Sequence, residues 1–179
     1  HGSGSSRLSP RNTRVARNLN DRGLATLLFD LLTDNEAVYR ANVFDIPLLG
    51  TRVAEAVRWT RDNADTAGLS IGLFGSSTGA AAALVAAVQM PDDVAAVVSR
   101  GGRPDLAGDF LSSVRAATLL IVGGADYGVI ELNEQAFALL DCDKRLEIVP
   151  GATHLFEEPG KLDEVVELAG RWFETHLGR

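Results

Sequence analysis

A serine between glycines, an aspartate and a histidine carry the candidate chemistry of this chain. Gly75-Ser76-Ser77-Thr78-Gly79 spells G-x-S-x-G. A serine hydroxyl is a weak nucleophile until a base takes its proton during attack. A histidine titrating near neutrality is that base, and it returns the proton to the leaving group. A carboxylate on the other ring nitrogen fixes the tautomer and stabilises the imidazolium. His154, after Pro150-Gly151-Ala152-Thr153, and Asp126, after Gly123-Gly124-Ala125, fit those two places. The order Ser77, Asp126, His154 is that of nucleophile, acid and base in one large class of serine catalysts. The chemistry is acyl transfer through a covalent acyl-enzyme. The oxyanion it generates needs backbone N–H donors. The amide of Thr78, at a helix start just after the nucleophile, is one candidate.

Side chains act together only where the backbone gathers them, so the elements around them matter. Leu69 to Phe74 reads as a buried strand and Ala80 to Val88 as a buried helix. The G-x-S-x-G therefore falls on a strand–turn–helix corner that lifts Ser77 clear of a sheet. Val94–Val98 is a continuous apolar run, as expected of a parallel strand buried on both faces, and Thr118–Val122 and Arg145–Val149 read as two further strands. A further strand is expected at Ala25–Phe29, ending at Asp30, followed by a loop through Thr33, Asp34, Asn35 and Glu36. Helices are expected over Pro10–Asp21, with Val15 and Leu19 inward, and over about Pro47–Asn63, capped by Asp45. Two more are expected over Val129–Leu140 and about Lys161–His176. Alternating strands and helices give an α/β fold with a mostly parallel sheet. In such sheets ligands sit at the carboxyl ends of the strands, where Asp30, Ser77, Arg100, Asp126 and His154 all fall.

The chain has 179 residues, the size of one domain, with 46% hydrophobic and 23% charged residues. A net charge of −7 disfavours nucleic acid and anionic membranes as partners. No apolar run is long enough to span a bilayer. The single cysteine, Cys142, forms no internal disulfide, so a reducing cytoplasm is the expected compartment. Gly72, Gly75 and Gly79 have the wrong spacing for a dinucleotide loop, and no phosphate-loop lysine follows them. His1, His154 and His176 show no metal-ligand spacing, so no metal is expected. His176 reads as a surface residue of the last helix.

Three arginines are candidates for holding a substrate. Arg100 and Arg103 follow a strand that ends beside the site, where guanidiniums clamp a carboxylate; the alternative is that they brace loops through Asp105 or Asp109. Arg7 has a similar claim. Asp30, Asp34 and Glu36 read as a solvated acidic loop.

His1-Gly2-Ser3-Gly4, Pro10-Arg11-Asn12, the Ser77 corner, Gly124-Ala125-Asp126 and Gly151-Ala152-Thr153-His154 together resemble dienelactone-hydrolase-like α/β-hydrolases over nearly the whole chain. The resemblance implies the α/β-hydrolase fold, with helices on both faces of the sheet, and a cofactor-free hydrolase of esters or lactones. It marks the His-Gly loop as the source of a second oxyanion donor, with Ser3 the expected amide. His1 itself reads as a loop-structuring residue or linker remnant rather than a base. Dienelactone hydrolases proper place a cysteine at the elbow; with Ser77, a serine esterase acting on a small, anionic or neutral ester fits better. Thioester, lactone and acyl-transfer chemistry, or a non-catalytic ligand-binding or scaffold module on the same fold, stay open. In the family the His-Gly loop follows a central strand that two others precede. The expectation is therefore one N-terminally incomplete domain whose missing central strand would lie between the Leu27 strand and the elbow strand.

Overall fold

The computed structural model describes residues 1–178. Four strands form one parallel sheet in the order β1 (Ile71–Ser77), β2 (Val94–Gly102), β3 (Ala117–Gly123) and β4 (Lys144–Val149). Among the described residues seven helices flank or precede them: α1 (Pro10–Asp21), α2 (Asp34–Ala37), α3 (Arg40–Val43), α4 (Ile46–Asp62), α5 (Thr78–Gln89), α6 (Tyr127–Leu139) and α7 (Lys161–His176). A 3-10 segment, Pro104–Ser113, follows β2.

Side chains alternate across the central strands and feed two apolar layers. Val97 and Leu120 face a layer built with α4, α5, α6 and the 3-10 segment. Ala96, Val98, Leu119 and Ile121 face the other, built with α1 and α7. Each helix shows the signals that place it. Asp45 caps α4 by accepting the Leu48 N–H at 3.0 Å, and Leu49, Val53 and Val57 form its buried stripe. Alanines let α5 lie close on the sheet, with Ala80, Ala81 and Ala82 at zero exposure. Arg22, at the end of α1, clamps that helix to α7 through Glu167 at 2.6 Å and Glu174 at 2.9 Å.

Two expectations are corrected. Ala25–Phe29 is not a strand: Leu24–Asp30 carries no ladder, although exposure alternates from Leu24 to Leu28 as on a strand. An extended segment becomes a strand only when a neighbour takes its N–H and C=O groups. Among the described residues none does, because β1 pairs only with β2. The acidic loop at Asp34–Glu36 is a helical turn instead. The Thr33 hydroxyl accepts the Glu36 N–H while the Glu36 carboxylate takes the Thr33 N–H at 2.8 Å, a reciprocal cap. No helix among the described residues is long and apolar enough to cross a membrane.

Candidate active site

Ser77 sits between β1 and α5 with φ 50° and ψ −126°, a backbone that non-glycine residues rarely adopt. A serine before a helix ordinarily caps it, as Ser9 does for α1 by accepting the Asn12 N–H. Ser77 makes no such bond. Its hydroxyl is thus left free of the helix, and the first-turn N–H groups of α5 lie beside it. The corner is tight because its glycines allow it. A Cβ on Gly75 would strike the Gly79 carbonyl and come within 2.6 Å of the Ala80 Cα. A Cβ on Gly79 would lie 2.5 Å from the His1 carbonyl oxygen, because the start of the chain crosses over the elbow.

That crossing also brings Gly2 against Ser77; a Cβ there would lie 2.6 Å from the Ser77 Cβ. The Gly2–Ser3 stretch therefore borders Ser77. The His1 ring secures it: Nε2 accepts the Leu31 N–H at 3.1 Å and Nδ1 faces the Gly2 carbonyl at 3.0 Å. His1 structures this loop, as one of the two expectations for it had it. Ser3 also borders a cleft of about 300 Å³ with Val38, Arg40 and Phe44. A larger cleft of about 730 Å³, between Leu28–Asp34 and α4, contains none of Ser77, Asp126 and His154.

His154 comes from the far edge of the sheet, and glycines clear its path. The loop after β4 doubles back over the end of β3, where a Cβ on Gly123 would strike the Ala152 carbonyl and lie 2.7 Å from that of Thr153. It then reaches the end of β2, where a Cβ on Gly101 would come within 2.9 Å of the His154 carbonyl and 3.7 Å of its Nδ1. The Ala125 N–H bonds the Ala152 carbonyl at 2.9 Å and ties the Asp126 loop to the same crossing. His154 Nδ1 consequently lies 2.7 Å from Asp126 Oδ2. The carboxylate is the more buried partner, at 18% side-chain exposure against 40% for the ring. The structure thus unites Asp126 with His154. Among the described residues it shows no hydrogen bond between His154 and Ser77, which stands at the end of β1, the strand next to β2.

The three arginines separate. Arg103 is bound to Asp105 through two bonds of 2.8 Å, the loop-bracing alternative. Arg7 bonds Asp30 through its backbone N–H at 2.7 Å and through its guanidinium. Arg100 is buried, and its Nε and Nη1 meet no acceptor among the described residues. Burial, with a smaller contribution from Arg11, pushes its pKa down to about 10, so it still carries its charge at neutral pH.

Sequence reasoning missed two supports of the site. Glu158 accepts the Thr153 N–H at 3.1 Å and the Thr153 hydroxyl at 2.6 Å, fixing the turn that carries His154. Those bonds, the Thr153 hydroxyl first, hold its carboxyl below the usual range. The buried Asn133 of α6 donates to the Gly102 carbonyl at 3.0 Å, and Gly102 is the register partner of Ser77. A carboxylate a few residues beyond a candidate base is a local signal that was available for Glu158. Asn133 has none, because its partner is 31 residues away.

No family model matches the chain. Two Mycobacterium tuberculosis proteins, from strains CDC 1551 and H37Rv and both provisionally named phosphoribosyl transferases, are 60% identical over 177 residues. Those residues are 99% of this chain and 40% of each relative, so the chain spans well under half of their length. The solved structure of a dienelactone hydrolase from Anabaena variabilis is 55% identical, with a TM-score of 0.95, over 99% of this chain and 84% of that one. Est1E from Butyrivibrio proteoclasticus is 17% identical with a TM-score of 0.80, over 97% of this chain and 84% of its own, a likeness of fold. With 55% of its residues identical and a TM-score of 0.95 over 99% of its length, the chain belongs to the dienelactone-hydrolase family of α/β-hydrolases.

Proposed function

We propose that the chain is a serine hydrolase that cleaves small carboxylic esters through an acyl-enzyme. The observation that carries this reading is the 2.7 Å Asp126–His154 contact across the strand ends from an uncapped Ser77. With Nδ1–H donated to Asp126, the other ring nitrogen of His154 is the free base. Ser77 Oγ attacks the acyl carbonyl as His154 takes its proton. The alcohol leaves with that proton, and the acyl group stays on Ser77. Water, deprotonated by His154, then attacks the acyl-enzyme and releases the carboxylic acid. The Thr78 N–H, at the positive end of α5, and the Ser3 N–H stabilise the two tetrahedral oxyanions. The Ser77–His154 hydrogen bond belongs to the substrate complex, since such bonds commonly tighten only there.

The phosphoribosyl transferase name of the mycobacterial relatives describes proteins of which this chain spans 40%. The residues gathered here supply a nucleophile and a proton relay, and hydrolysis is the reading they favour. The lone Cys142 supports a reducing cytoplasm as its place of action.

Turnover of nitrophenyl acetate beside a matched acetyl thioester tests the reaction class. The oxygen ester is expected to turn over faster, and Ser77→Ala to abolish both reactions. Preferential thioester cleavage would move the assignment to a thioesterase. Turnover surviving in Ser77→Ala would remove Ser77 from the mechanism.

A further inference from the structure

The loop that carries Ser3 is fastened at both ends to one post, and Asp30 is the charged part of that post. Ser3 makes no hydrogen bond of its own among the described residues. Where its amide points is therefore set by what holds the chain on either side. Two residues before Ser3, His1 Nε2 accepts the Leu31 N–H at 3.1 Å. Four residues after it, the Arg7 N–H donates to Asp30 Oδ1 at 2.7 Å and the Arg7 guanidinium donates to Oδ2. Both ends of the loop thus meet two adjacent residues, Asp30 and Leu31. Asp30 Oδ1 also stands 3.5 Å from His1 Nε2, so one carboxylate faces both ends.

The post is firm because its second residue is core. Leu31 is buried in the apolar layer that contains α4 and α5. Asp30 is not the solvated carboxylate that its place near Asp34 and Glu36 in the sequence suggests; its side chain is 24% exposed. Partial burial opposes its ionisation. The Arg7 N–H, the Arg7 guanidinium and the His1 ring outweigh that, and the carboxyl lies below the usual carboxylate range. It is therefore charged at neutral pH, and its bond to the Arg7 N–H is charge-assisted, stronger than a neutral one. One more tie, from the Asn12 amide to the Ser6 carbonyl at 2.8 Å, joins the loop to α1. Between these ties Gly2 lies against Ser77.

We propose that Asp30 is a positioning residue of the hydrolysis: its carboxylate anchors the Arg7 end of the loop to the core and so holds the Ser3 N–H where the oxyanion forms. This inference rests on the hydrolase reading for its reaction, but the anchor is testable without turnover. Asp30 acts through Arg7 and the loop. Its loss leaves Ser77, Asp126 and His154 in place and loosens one donor, which matters only once charge develops on the substrate oxygen. An interaction made only in the transition state shows as an equal fall in kcat and kcat/KM.

Kinetics with nitrophenyl acetate, binding of phenylboronic acid and amide hydrogen exchange together test it. In Asp30→Ala, kcat and kcat/KM are both expected to fall about tenfold or more, short of the loss from deleting a donor outright. KM should not change. Phenylboronic acid places an anionic tetrahedral centre on Ser77, so its affinity should fall by a similar factor. Asp30→Asn keeps an acceptor for the Arg7 N–H and should recover part of each loss. The Ser5 amide, which donates to the Gly2 carbonyl at 3.3 Å, should lose protection in Asp30→Ala. Arg7 is exposed, so Arg7→Gln carries the test if Asp30→Ala fails to fold; its losses should be smaller, because the backbone bond of residue 7 remains. A rise in KM with kcat unchanged overturns the inference, as does boronate affinity equal to that of wild type in both variants. A wild-type chain that turns over the ester at a rate neither variant alters keeps the hydrolase and loses the anchor. A wild-type chain with no turnover and no fluorophosphonate adduct, whose Ser5 protection still falls in Asp30→Ala, keeps the anchor and loses the hydrolase.

Discussion

The position of His154 rests on a side chain that takes no part in the reaction. Glu158 holds the Thr153 N–H and hydroxyl, and Thr153 precedes His154. Glu158→Gln weakens both bonds by removing the charge. A small displacement of a reacting base is costly, and kcat/KM is expected to fall about tenfold. The acid side gives a second readout. The Glu158 carboxyl is lowered from 4.5 in the folded chain, so its stabilisation is complete above that value and is lost as pH falls through the lower folded value. The difference in thermal midpoint between wild type and Glu158→Gln should therefore be largest near neutrality and close as the pH falls below the usual carboxylate range. A difference independent of pH would show that the carboxylate charge is not what holds the turn. At this scale the placement of Ser77, Asp126 and His154 just at or past strand ends was legible, because each follows a strand pattern and a glycine. The arginines were not legible. Whether Arg7, Arg100 or Arg103 is paired depends on neighbours that only the folded chain assembles, such as Asp30, 23 residues from Arg7.

Among the elements, the loop after β4 is the critical one. It crosses two strand ends to bring His154 from the edge strand toward Ser77, over Gly123 and Gly101. Gly123→Ala puts a methyl group against the Ala152 and Thr153 carbonyls, backbone atoms that cannot rotate away. Overpacking of this kind costs about 1–3 kcal/mol and shifts backbone. Activity is expected to fall on the order of a hundredfold while the far-UV circular dichroism of the sheet persists. Full activity in Gly123→Ala would mean that the crossing tolerates a wider path. Helices α1 and α4 to α7 and strands β1 to β4 were legible from caps, periodicity and strand patterns, whereas the short helices α2 and α3 were not. The crossing was not, because nothing in Pro150–His154 says which way the loop turns. Ala25–Phe29 shows the reverse case. Its alternation is that of a strand, but a strand is a relation between two segments, and a single segment's pattern cannot report its partner.

For the molecule as a whole, stability should be graded across the sheet. β2 and β3 are paired on both sides and buried in two apolar layers, whereas β1 is an edge and Leu24–Asp30 is unpaired. Local opening follows such differences. Amide hydrogen exchange is expected to be slowest in Val97–Ser99 and Leu119–Ile121 and fastest in Leu24–Asp30. Equal protection of Leu24–Asp30 and β2 would contradict an unpaired segment. The gradient puts Ser77 on the edge strand, held by α5 behind it, the Gly2 crossing above it and Gly102 beside it. The most direct test of the account is the mass of the folded chain after treatment with a neutral fluorophosphonate, mapped by peptide sequencing. The account predicts one adduct per chain, on Ser77, absent in Ser77→Ala and slowed in His154→Gln. A folded wild-type chain that gains no adduct, or gains it on another residue, would contradict it.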